Sequence, residues 1–362
     1  MKSKGKIKIK IKYSVVICLM LLFAGWFFVS PSLKSFDEFA SFFDSEKKFL
    51  AKEDVTVKGV EAKDENGDSG RRMAFDNLLP GEPDAPKKKE DFGDFYARSK
   101  ASIAIDAETG TILHYQNARE ERSIASLTKV MTAIVALEEI DDLKKEIVTI
   151  DRDAVFEEGT KIGCPNSGYC ISNRLRVGEK ISAWNLFQAA IMNSTNDAAL
   201  ALGKHIAGTE KEFAKLMNKK ARELGLNNTN FCNPSGLDED DNPGGCYSTA
   251  YDIARIAAYS LKYDEIWDTM KIKEKDIYSA DGNIKHHIIN TNVLLGQVGN
   301  LEGTKTGFTY EAGHSLMIGS HHPQDKDIKV IGILLDDYYR WDDAKKMMKW
   351  VFQAYDWPDG SL

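Results

Sequence analysis

The chain has 362 residues, of which 48 are lysine or arginine and 55 are aspartate or glutamate, so its net charge is −7. This acidic balance is untypical of nucleic-acid-binding proteins, and no nucleic acid is expected as a partner. The length allows two average domains, or one large domain with appendages. Hydrophobic residues make up 43% of the chain, which is enough for a sizeable core. The histidines and cysteines form no HExxH or CxxC pattern, so neither a metal ion nor another cofactor is expected.

The sequence opens with a basic segment followed by an apolar run. Lysines occupy every second position over residues 2–12, and residues 13–30 carry no charge. At about 1.5 Å per residue such a run spans roughly 27 Å, close to the thickness of a hydrocarbon core. The basic flank predicts a cytoplasmic tail over 1–13, a transmembrane anchor or uncleaved signal over 14–30, and export of everything that follows. A cleaved signal peptide is the alternative, and the protein is then secreted.

Residues 31–95 are predicted to form a charged, largely disordered tether. The part from residue 58 onward is rich in charge and contains several glycines, prolines and a run of three lysines. Such a composition cannot bury enough apolar surface to offset the entropy cost of ordering it. The folded domain is therefore expected over 96–357, on the extracytoplasmic face of the cytoplasmic membrane.

The predicted elements of the folded domain place strands at its two ends. Apolar runs at 101–105 and 111–115, separated by a turn that contains Gly110, predict a hairpin. Helical spacing of apolar residues covers the middle of the chain, and strand-like runs return late. This order predicts a mixed α+β domain whose antiparallel sheet is built from both ends. Helices are expected at 127–137, 183–206, 212–224, 251–261 and 341–355, and the late strands at 315–319 and 328–335.

Three Ser-x-x-Lys sequences occur, beginning at Ser3, Ser45 and Ser126. The first two lie in the predicted tail and tether, and Ser126 alone opens an apolar-periodic helix. On that helix Ser126 and Lys129 share one face, so the amine can accept the hydroxyl proton if its pKa is lowered by burial or by a second cation. A helix start also offers unpaired backbone N–H groups to a developing oxyanion. These features predict a nucleophilic serine with a lysine base.

Two further motifs follow in chain order. Ser194-Thr195-Asn196 is the one Ser-x-Asn in the chain, and Lys305-Thr306-Gly307 is the one Lys-Thr-Gly. Either triplet alone is an ordinary helix cap or turn. Together, in this order after Ser-x-x-Lys, they predict a serine hydrolase that uses lysine rather than a Ser-His-Asp triad. No Gly-x-Ser-x-Gly elbow is present, and Lys305 is the candidate second cation.

These motifs and the segments around them resemble the D-alanyl-D-alanine carboxypeptidase family, the low-molecular-mass penicillin-binding proteins. The resemblance covers about residues 101–352. It implies a β-lactamase/DD-peptidase-like fold, with helices flanking the antiparallel sheet and an added helical subdomain. It also implies a penicillin-sensitive enzyme of cell-wall remodelling, which trims the terminal D-alanine of peptidoglycan stem peptides. The segments that carry the resemblance are 122–133, 192–199, 227–237, 248–254, 290–295, 303–309 and 340–352.

The resemblance also assigns a role to each motif residue. A nucleophile and its base form the acyl-enzyme, and a second serine passes a proton to the leaving amine. Backbone N–H groups of Ser126 and Phe308 hold the oxyanion, while an arginine is expected to bind the substrate carboxylate. The expected catalytic residues are Ser126, Lys129, Ser194, Asn196 and Lys305, and the expected substrate-binding residues are Thr306, Gly307, Phe308 and Arg340.

Two departures from the family pattern bear on the substrate. Phe308 follows Lys-Thr-Gly where the better-known carboxypeptidases carry histidine. With Thr309 and Ala312-Gly313-His314, it looks more like the shorter DD-endopeptidase branch, which cuts peptidoglycan cross-links. The sequence also stops at Leu362, so no C-terminal β domain is expected and the N-terminal segment is expected to serve as the anchor.

Two other functions compete with the peptidase. A β-lactamase needs a second base, and Glu223-Leu-Gly-Leu-Asn227 matches its Glu-x-x-Leu-Asn pattern. That string falls at the end of a predicted helix, and Ser-Thr-Asn differs from the lactamase Ser-Asp-Asn. An inactive wall-binding protein is the other alternative, although every catalytic residue type is present.

Four cysteines lie on the predicted exported side of the membrane. An oxidising compartment favours disulfides, and four cysteines allow three pairings. Cys164 and Cys170 bracket one short loop, while Cys232 and Cys246 bracket another. The sequence therefore predicts the bridges 164–170 and 232–246.

Overall fold

The structure is a computed structural model, and it describes residues 85–164, 169–238 and 244–357. The predicted tail, the predicted transmembrane segment and most of the predicted tether lie outside these ranges. Within them, no helix has both the length and the apolar character that crossing a membrane requires.

The strands of the described residues belong to one large sheet and three small ones. The two predicted early strands and the two predicted late strands are all present, with ends that differ by one or two residues. In chain order the strands are β1 (Lys87–Lys88), β2 (Ala101–Asp106), β3 (Ile112–Gln116), β4 (Ile147–Thr149), β5 (Lys180–Ser182), β6 (Glu274–Tyr278), β7 (Lys285–Ile289), β8 (Leu301–Thr309), β9 (Gly313–His321), β10 (Lys329–Leu335) and β11 (Tyr355–Asp356).

Most of the described middle of the chain is helical, as the apolar spacing predicts, with β4 to β7 between the helices, and the last helix directly precedes β11. A single 3₁₀ turn, Ala125–Leu127, precedes the first of them. In chain order the helices are α1 (Thr128–Glu139), α2 (Arg152–Phe156), α3 (Ala183–Met192), α4 (Asn196–Ala207), α5 (Glu210–Glu223), α6 (Ala250–Ser260), α7 (Asp264–Lys271) and α8 (Arg340–Ala354).

The large sheet is antiparallel, with strand order β3-β2-β10-β9-β8. Strands β2 and β3 come from the start of the domain and β8 to β10 from its end, which confirms the predicted assembly. Alternate residues of a strand face opposite sides. On β2, Ile103 joins the large helical core, whereas Ala104 joins a second core with Met347 and Val351 of α8. The sheet is thus buried on both faces.

The predicted helix over 183–206 is wrong in one respect, because the structure divides it into α3 and α4. The break falls at Ser194, whose backbone is left-handed with φ of 59°. Thr195 N–H still donates to Ala189 O, while Asn196 N–H donates to Thr160 O outside the helix pair. Apolar residues continue at helical spacing on both sides of the break, so periodicity alone does not reveal it.

The first described residues lie beside the last strand of the domain, β11. Strand β1 pairs antiparallel with β11, and Phe92 and Phe95 pack against the second core. The Phe95 ring lies 5.9 Å from that of Trp350 on α8. These residues fall within the range predicted as tether, and we propose that the tether ends before Lys87.

Both predicted disulfides are present in the structure. Cys164 is bonded to Cys170 and Cys232 is bonded to Cys246, with Cα separations of 4.0 and 5.5 Å. The second bridge lies directly before the segment 233–237, which contacts the nucleophile turn described below.

Candidate active site

The candidate nucleophile stands at the junction of the 3₁₀ turn and α1. Ala125, immediately before Ser126, has a left-handed φ of 48°, a conformation that non-glycine residues rarely adopt away from functional turns. Lys129 follows on the first turn of α1 and its side chain is completely buried. The Ser-x-x-Lys spacing therefore brings the partly exposed Ser126 hydroxyl next to the buried Lys129 amine.

The Lys129 amine has three hydrogen-bond partners. Its Nζ lies 2.8 Å from Ser126 Oγ, 2.7 Å from Asn196 Oδ1 and 2.6 Å from Ser235 O. The amide and carbonyl oxygens can only accept, whereas a hydroxyl can also donate. When the amine is neutral, its two hydrogens satisfy Asn196 and Ser235, and its lone pair is left for the Ser126 proton. The geometry thus orients lysine as a base.

Burial makes that neutral form accessible. It lowers the pKa of Lys129 to about 7, against the opposing negative charges of Glu157 and Asp197. Burial also lowers the pKa of Lys305 well below its usual range, with the charge of Lys129 as a second cause. The sequence offered burial or a second cation as the reason for a low Lys129 pKa. In the structure burial lowers this pKa, and the charges that act on it are the opposing ones of Glu157 and Asp197.

The Ser-x-Asn and Lys-Thr-Gly motifs meet at a cavity that Ser126 also lines. Lys305 lies on β8 and is completely buried. Its Nζ donates to Ser194 Oγ at 2.6 Å and to Thr306 O at 2.9 Å. The left-handed backbone at Ser194 turns this hydroxyl out of the α3–α4 connection toward β8. Two motifs that are far apart in sequence therefore form one hydrogen-bonded unit.

Neighbouring loops hold the Ser-x-Asn motif in place. Asn196 Nδ2 donates to Glu158 O at 2.9 Å, which leaves Oδ1 facing Lys129. The buried Asp197 carboxylate accepts the backbone N–H groups of Ile162 and Ala198, and burial raises its pKa to about 6. The loop after α2 is thereby fixed to the start of α4 and forms one wall of the cavity.

Two glycines allow the backbone to approach the nucleophile closely. A side-chain carbon at Gly307 on β8 would lie 2.8 Å from Ile124 O. At Gly236, where φ is +77°, it would lie 2.0 Å from Ala125 O. Both distances are too short for any larger residue. The Lys-Thr-Gly strand and the segment 233–237 thus enclose the Ser126 turn from two sides.

All nine predicted catalytic and substrate-binding residues lie at or directly behind this cavity of about 200 Å³. Lys129 and Lys305 lie behind its wall, and the other seven line it. Arg340, the first residue of α8, is half-buried there, and its buried Nε has no hydrogen-bond partner in the described residues. The lining residues are Ser126, Gly159, Thr160, Ser194, Asn196, Gly236, Leu237, Thr291, Thr306, Gly307, Phe308, Thr309 and Arg340.

Sequence reasoning missed several residues that build the cavity. Ser235 contributes only its backbone carbonyl, which no side-chain motif reveals. Thr291 donates or accepts at 2.9 Å from the Thr306 hydroxyl. Both fall within segments that carry the family resemblance, and this is the signal that could have identified them. Gly159 and Thr160 carry no comparable signal.

The candidate lactamase base lies elsewhere. Glu223 ends α5 and pairs with Lys220 one helical turn earlier. Among the described residues it does not line the cavity. The Glu-x-x-Leu-Asn match is therefore not part of this site.

The known proteins that this chain resembles are D-alanyl-D-alanine peptidases. The D-alanyl-D-alanine carboxypeptidase family model matches residues 87–338. The D-alanyl-D-alanine carboxypeptidase DacF of Bacillus subtilis is 34% identical over 258 residues, covering 71% of this chain and 63% of DacF. The D-alanyl-D-alanine endopeptidase of Pseudomonas aeruginosa is 32% identical over 254 residues, covering 70% of this chain and 77% of that protein. The chain thus spans less than two thirds of the length of DacF.

Solved structures share the same fold. The Streptomyces K15 DD-transpeptidase superposes with a TM-score of 0.63 at 27% identity, covering 72% of this chain and 99% of that one. Penicillin-binding protein D2 of Listeria monocytogenes, in its cefotaxime-bound form, gives a TM-score of 0.60 at 30% identity, covering 72% and 99%. The mixed α+β class predicted from the order of the elements is confirmed, and so is the DD-peptidase-like fold that the resemblance implies.

Proposed function

The chain belongs to the D-alanyl-D-alanine carboxypeptidase family, and we propose that it is a serine-type carboxypeptidase that removes the terminal D-alanine of peptidoglycan stem peptides. The observation that carries the proposal is the Lys129 amine, buried and 2.8 Å from the Ser126 hydroxyl. A serine beside an amine that is neutral near pH 7 is an activated nucleophile. Relatives named as carboxypeptidases support the same activity.

Acylation begins when Ser126 Oγ attacks the carbonyl carbon of the D-Ala–D-Ala bond and Lys129 accepts the hydroxyl proton. The backbone N–H groups of Ser126 and Phe308 stabilise the oxyanion. When the tetrahedral intermediate collapses, the peptide bond breaks and the leaving amine takes a proton from Ser194. Ser194 regains a proton from Lys129, which thereby passes on the proton that it took from Ser126 and becomes neutral again. Lys305 holds the Ser194 hydroxyl in place for this transfer, at 2.6 Å. An ester on Ser126 and free D-alanine result.

Water then completes the cycle by attacking the ester carbonyl. Lys129 again serves as base and accepts a proton from the water. The Ser126 oxygen then leaves with that proton, and the shortened stem peptide is released as a carboxylate.

Substrate binding precedes acylation, and in it Thr306 and Arg340 bind the terminal carboxylate of the substrate. The unpartnered Nε of Arg340 supports this assignment, because a planar guanidinium suits a carboxylate. Asn196 binds the substrate amide, and the strand after Gly307 pairs with its backbone.

A DD-endopeptidase that cuts peptidoglycan cross-links is the second candidate. Phe308 favours it, because this position carries histidine in the better-known carboxypeptidases. Two relatives named D-alanyl-D-alanine endopeptidase, from Pseudomonas aeruginosa and Escherichia coli, are 32% and 28% identical to the chain. Both activities use the same acyl-enzyme and differ in the amine that leaves.

The proposal also includes inhibition by penicillin and a location at the cytoplasmic membrane. Penicillin, whose strained amide resembles the substrate, acylates Ser126, and the cefotaxime-bound Listeria relative supports this sensitivity. Residues 14–30 anchor the protein in the cytoplasmic membrane, and the catalytic domain faces the cell wall. The two disulfides support an oxidising location.

The test uses the full-length chain with purified muropeptides, read by liquid chromatography and mass spectrometry. Loss of one alanine from pentapeptides establishes the carboxypeptidase, and conversion of cross-linked dimers to monomers with intact pentapeptides establishes the endopeptidase. Ser126→Ala is expected to abolish either activity. Ser45→Ala, in a second Ser-x-x-Lys sequence, is the matched control and is expected to retain it. Unchanged muropeptides would refute the proposal.

A further inference from the structure

Five aromatic side chains form a continuous row at the edge of the cavity. This aromatic row consists of Phe308, Tyr310, His314, Tyr338 and Tyr339, with neighbouring ring centroids 4.6 to 5.8 Å apart. Tyr310 is fully exposed, Tyr338 is 77% exposed, and Phe308 and Tyr339 are about half exposed. A contiguous exposed apolar patch on a soluble protein marks an interaction surface or a ligand-binding groove.

The backbone under the aromatic row is well fixed. Phe308 and His314 are register partners on β8 and β9, and their rings stack at 4.6 Å. Asp337 N–H donates to His314 O at 2.6 Å, which ties the β10–α8 connection to the same place. The Arg98 guanidinium covers the Tyr339 ring at 3.9 Å. The rings of Phe308, His314 and Tyr339 are therefore held in position before any ligand arrives, which lowers the entropy cost of binding.

The aromatic row is continuous with the proposed substrate cleft, because Phe308 belongs to both. In the proposed function the terminal carboxylate lies at Thr306 and the peptide pairs with the strand after Gly307. The remainder of the substrate therefore extends along β8 toward Thr309, beyond which Tyr310 begins the turn. This end of the stem peptide is the one joined to the glycan strand. The inference that follows rests on the proposed function for this direction.

We propose that the aromatic row binds the glycan strand of peptidoglycan. The C–H faces of pyranose rings are flat and apolar, and they pack against exposed aromatic faces through many small dispersion contacts. The row itself contains no acidic or lysine side chain. Of the arginines beside it, Arg98 is paired with Asp342 and Asp343, and Arg340 is assigned to the terminal carboxylate in the proposed function. Asp336 opposes the charge of Arg340 at His314. Its chemistry thus suits a neutral sugar better than a charged peptide. The preferred substrate is then a stem peptide attached to its glycan.

The test compares two substrates and one ligand, using the full-length chain. The substrates are glycan-linked pentapeptide and a free pentapeptide without sugar, and the ligand is a glycan strand from which the peptides have been removed. The double variant Tyr310→Ala/Tyr338→Ala is expected to lower kcat/KM about tenfold on the glycan-linked substrate and to leave the free peptide unchanged. It is also expected to lose saturable binding of the bare glycan strand.

Two controls separate ring stacking from general surface effects. Tyr310→Phe/Tyr338→Phe keeps the rings without the hydroxyls and is expected to behave as wild type. Tyr115→Ala removes a half-exposed tyrosine on β3, at the opposite edge of the sheet, and is expected to change nothing.

Three outcomes would overturn the inference or separate it from the proposed function. Equal glycan binding by wild type and the double alanine variant would overturn it, as would an equal loss of activity on the free peptide. If wild type cleaves neither substrate, the proposed function fails, and the titration with bare glycan still decides what the aromatic row binds.

Discussion

Replacing Gly236 by alanine tests how closely the segment 233–237 controls the nucleophile. The added carbon would lie 2.0 Å from Ala125 O and 2.7 Å from Thr128 Oγ1, at a φ of +77°. Both contacted residues flank the Ser126 turn. Relieving the clash requires the turn and the segment 233–237 to move apart. This separates Lys129 from the Ser235 carbonyl, which accepts its hydrogen at 2.6 Å. We therefore expect Gly236→Ala to disturb stability and catalysis together.

The magnitude can be separated into two contributions with Gly282→Ala as the matched control. Gly282 has a φ of +75° but no atom within 4 Å of an added carbon, so it reports the backbone cost alone, roughly 1–2 kcal/mol. Gly236→Ala adds the steric overlap, which in close-packed interiors costs roughly 1–3 kcal/mol. At about 2–4 °C per kcal/mol for a domain of this class, Gly236→Ala should unfold several degrees below the control.

The assay measures the thermal midpoint of each full-length variant and its rate of acylation by a fluorescent penicillin. Gly236→Ala should acylate more than about tenfold slower than wild type, since a displacement of 1 Å at a reacting group can cost two orders of magnitude. Gly282→Ala should acylate at the wild-type rate. Equal thermal midpoints for the two variants, with normal acylation in both, would refute the reasoning about the close approach at Gly236.

Three further predictions follow from the site and its surroundings. The acylation rate should rise with pH through about 7, because Lys129 accepts the serine proton only when neutral and burial lowers its pKa to about 7; a pH-independent stopped-flow rate between about pH 5 and pH 9 would contradict this. Arg340→Gln should raise KM about tenfold for peptides with a free terminal carboxylate but not for amidated peptides, since it removes a charge-assisted bond; equal effects on both would exclude carboxylate binding. Cys232→Ser/Cys246→Ser should lower the free energy of unfolding by about 2–4 kcal/mol, measured in denaturant, and a reducing agent should abolish the difference from wild type.

The fold could be predicted where one physical signal dominated. Short apolar runs at 101–105 and 328–335 identified β2 and β10, because central strands buried on both faces need apolar residues at successive positions. The helix predicted over 183–206 failed at Ser194, since a single left-handed residue changes the chain direction without changing apolar spacing. Strand β8 had no clear strand signal because it contains two glycines and the charged Lys305, although Lys305 is completely buried in the fold.

The site could be predicted as far as its side chains form motifs. Ser126, Lys129, Ser194, Asn196 and Lys305 all meet at one cavity, because each motif supplies a side chain whose chemistry is visible in the sequence. Backbone contributions could not be predicted in this way. The Ser235 carbonyl and the carbonyl of Glu158 depend on loops brought together by distant parts of the chain, and any residue type would supply the same atom.

The order of strands in the large sheet has a consequence for how the protein is made. The hairpin β2–β3 emerges early, but the edge of β2 is covered only by β10, near the end of the domain. Pairings between strands so distant in sequence form late and slowly. Until they form, β8 cannot bring Lys305 to Ser194, and the cavity does not exist. A partly synthesised chain therefore lacks the cavity, which first exists when the last strands have joined the sheet.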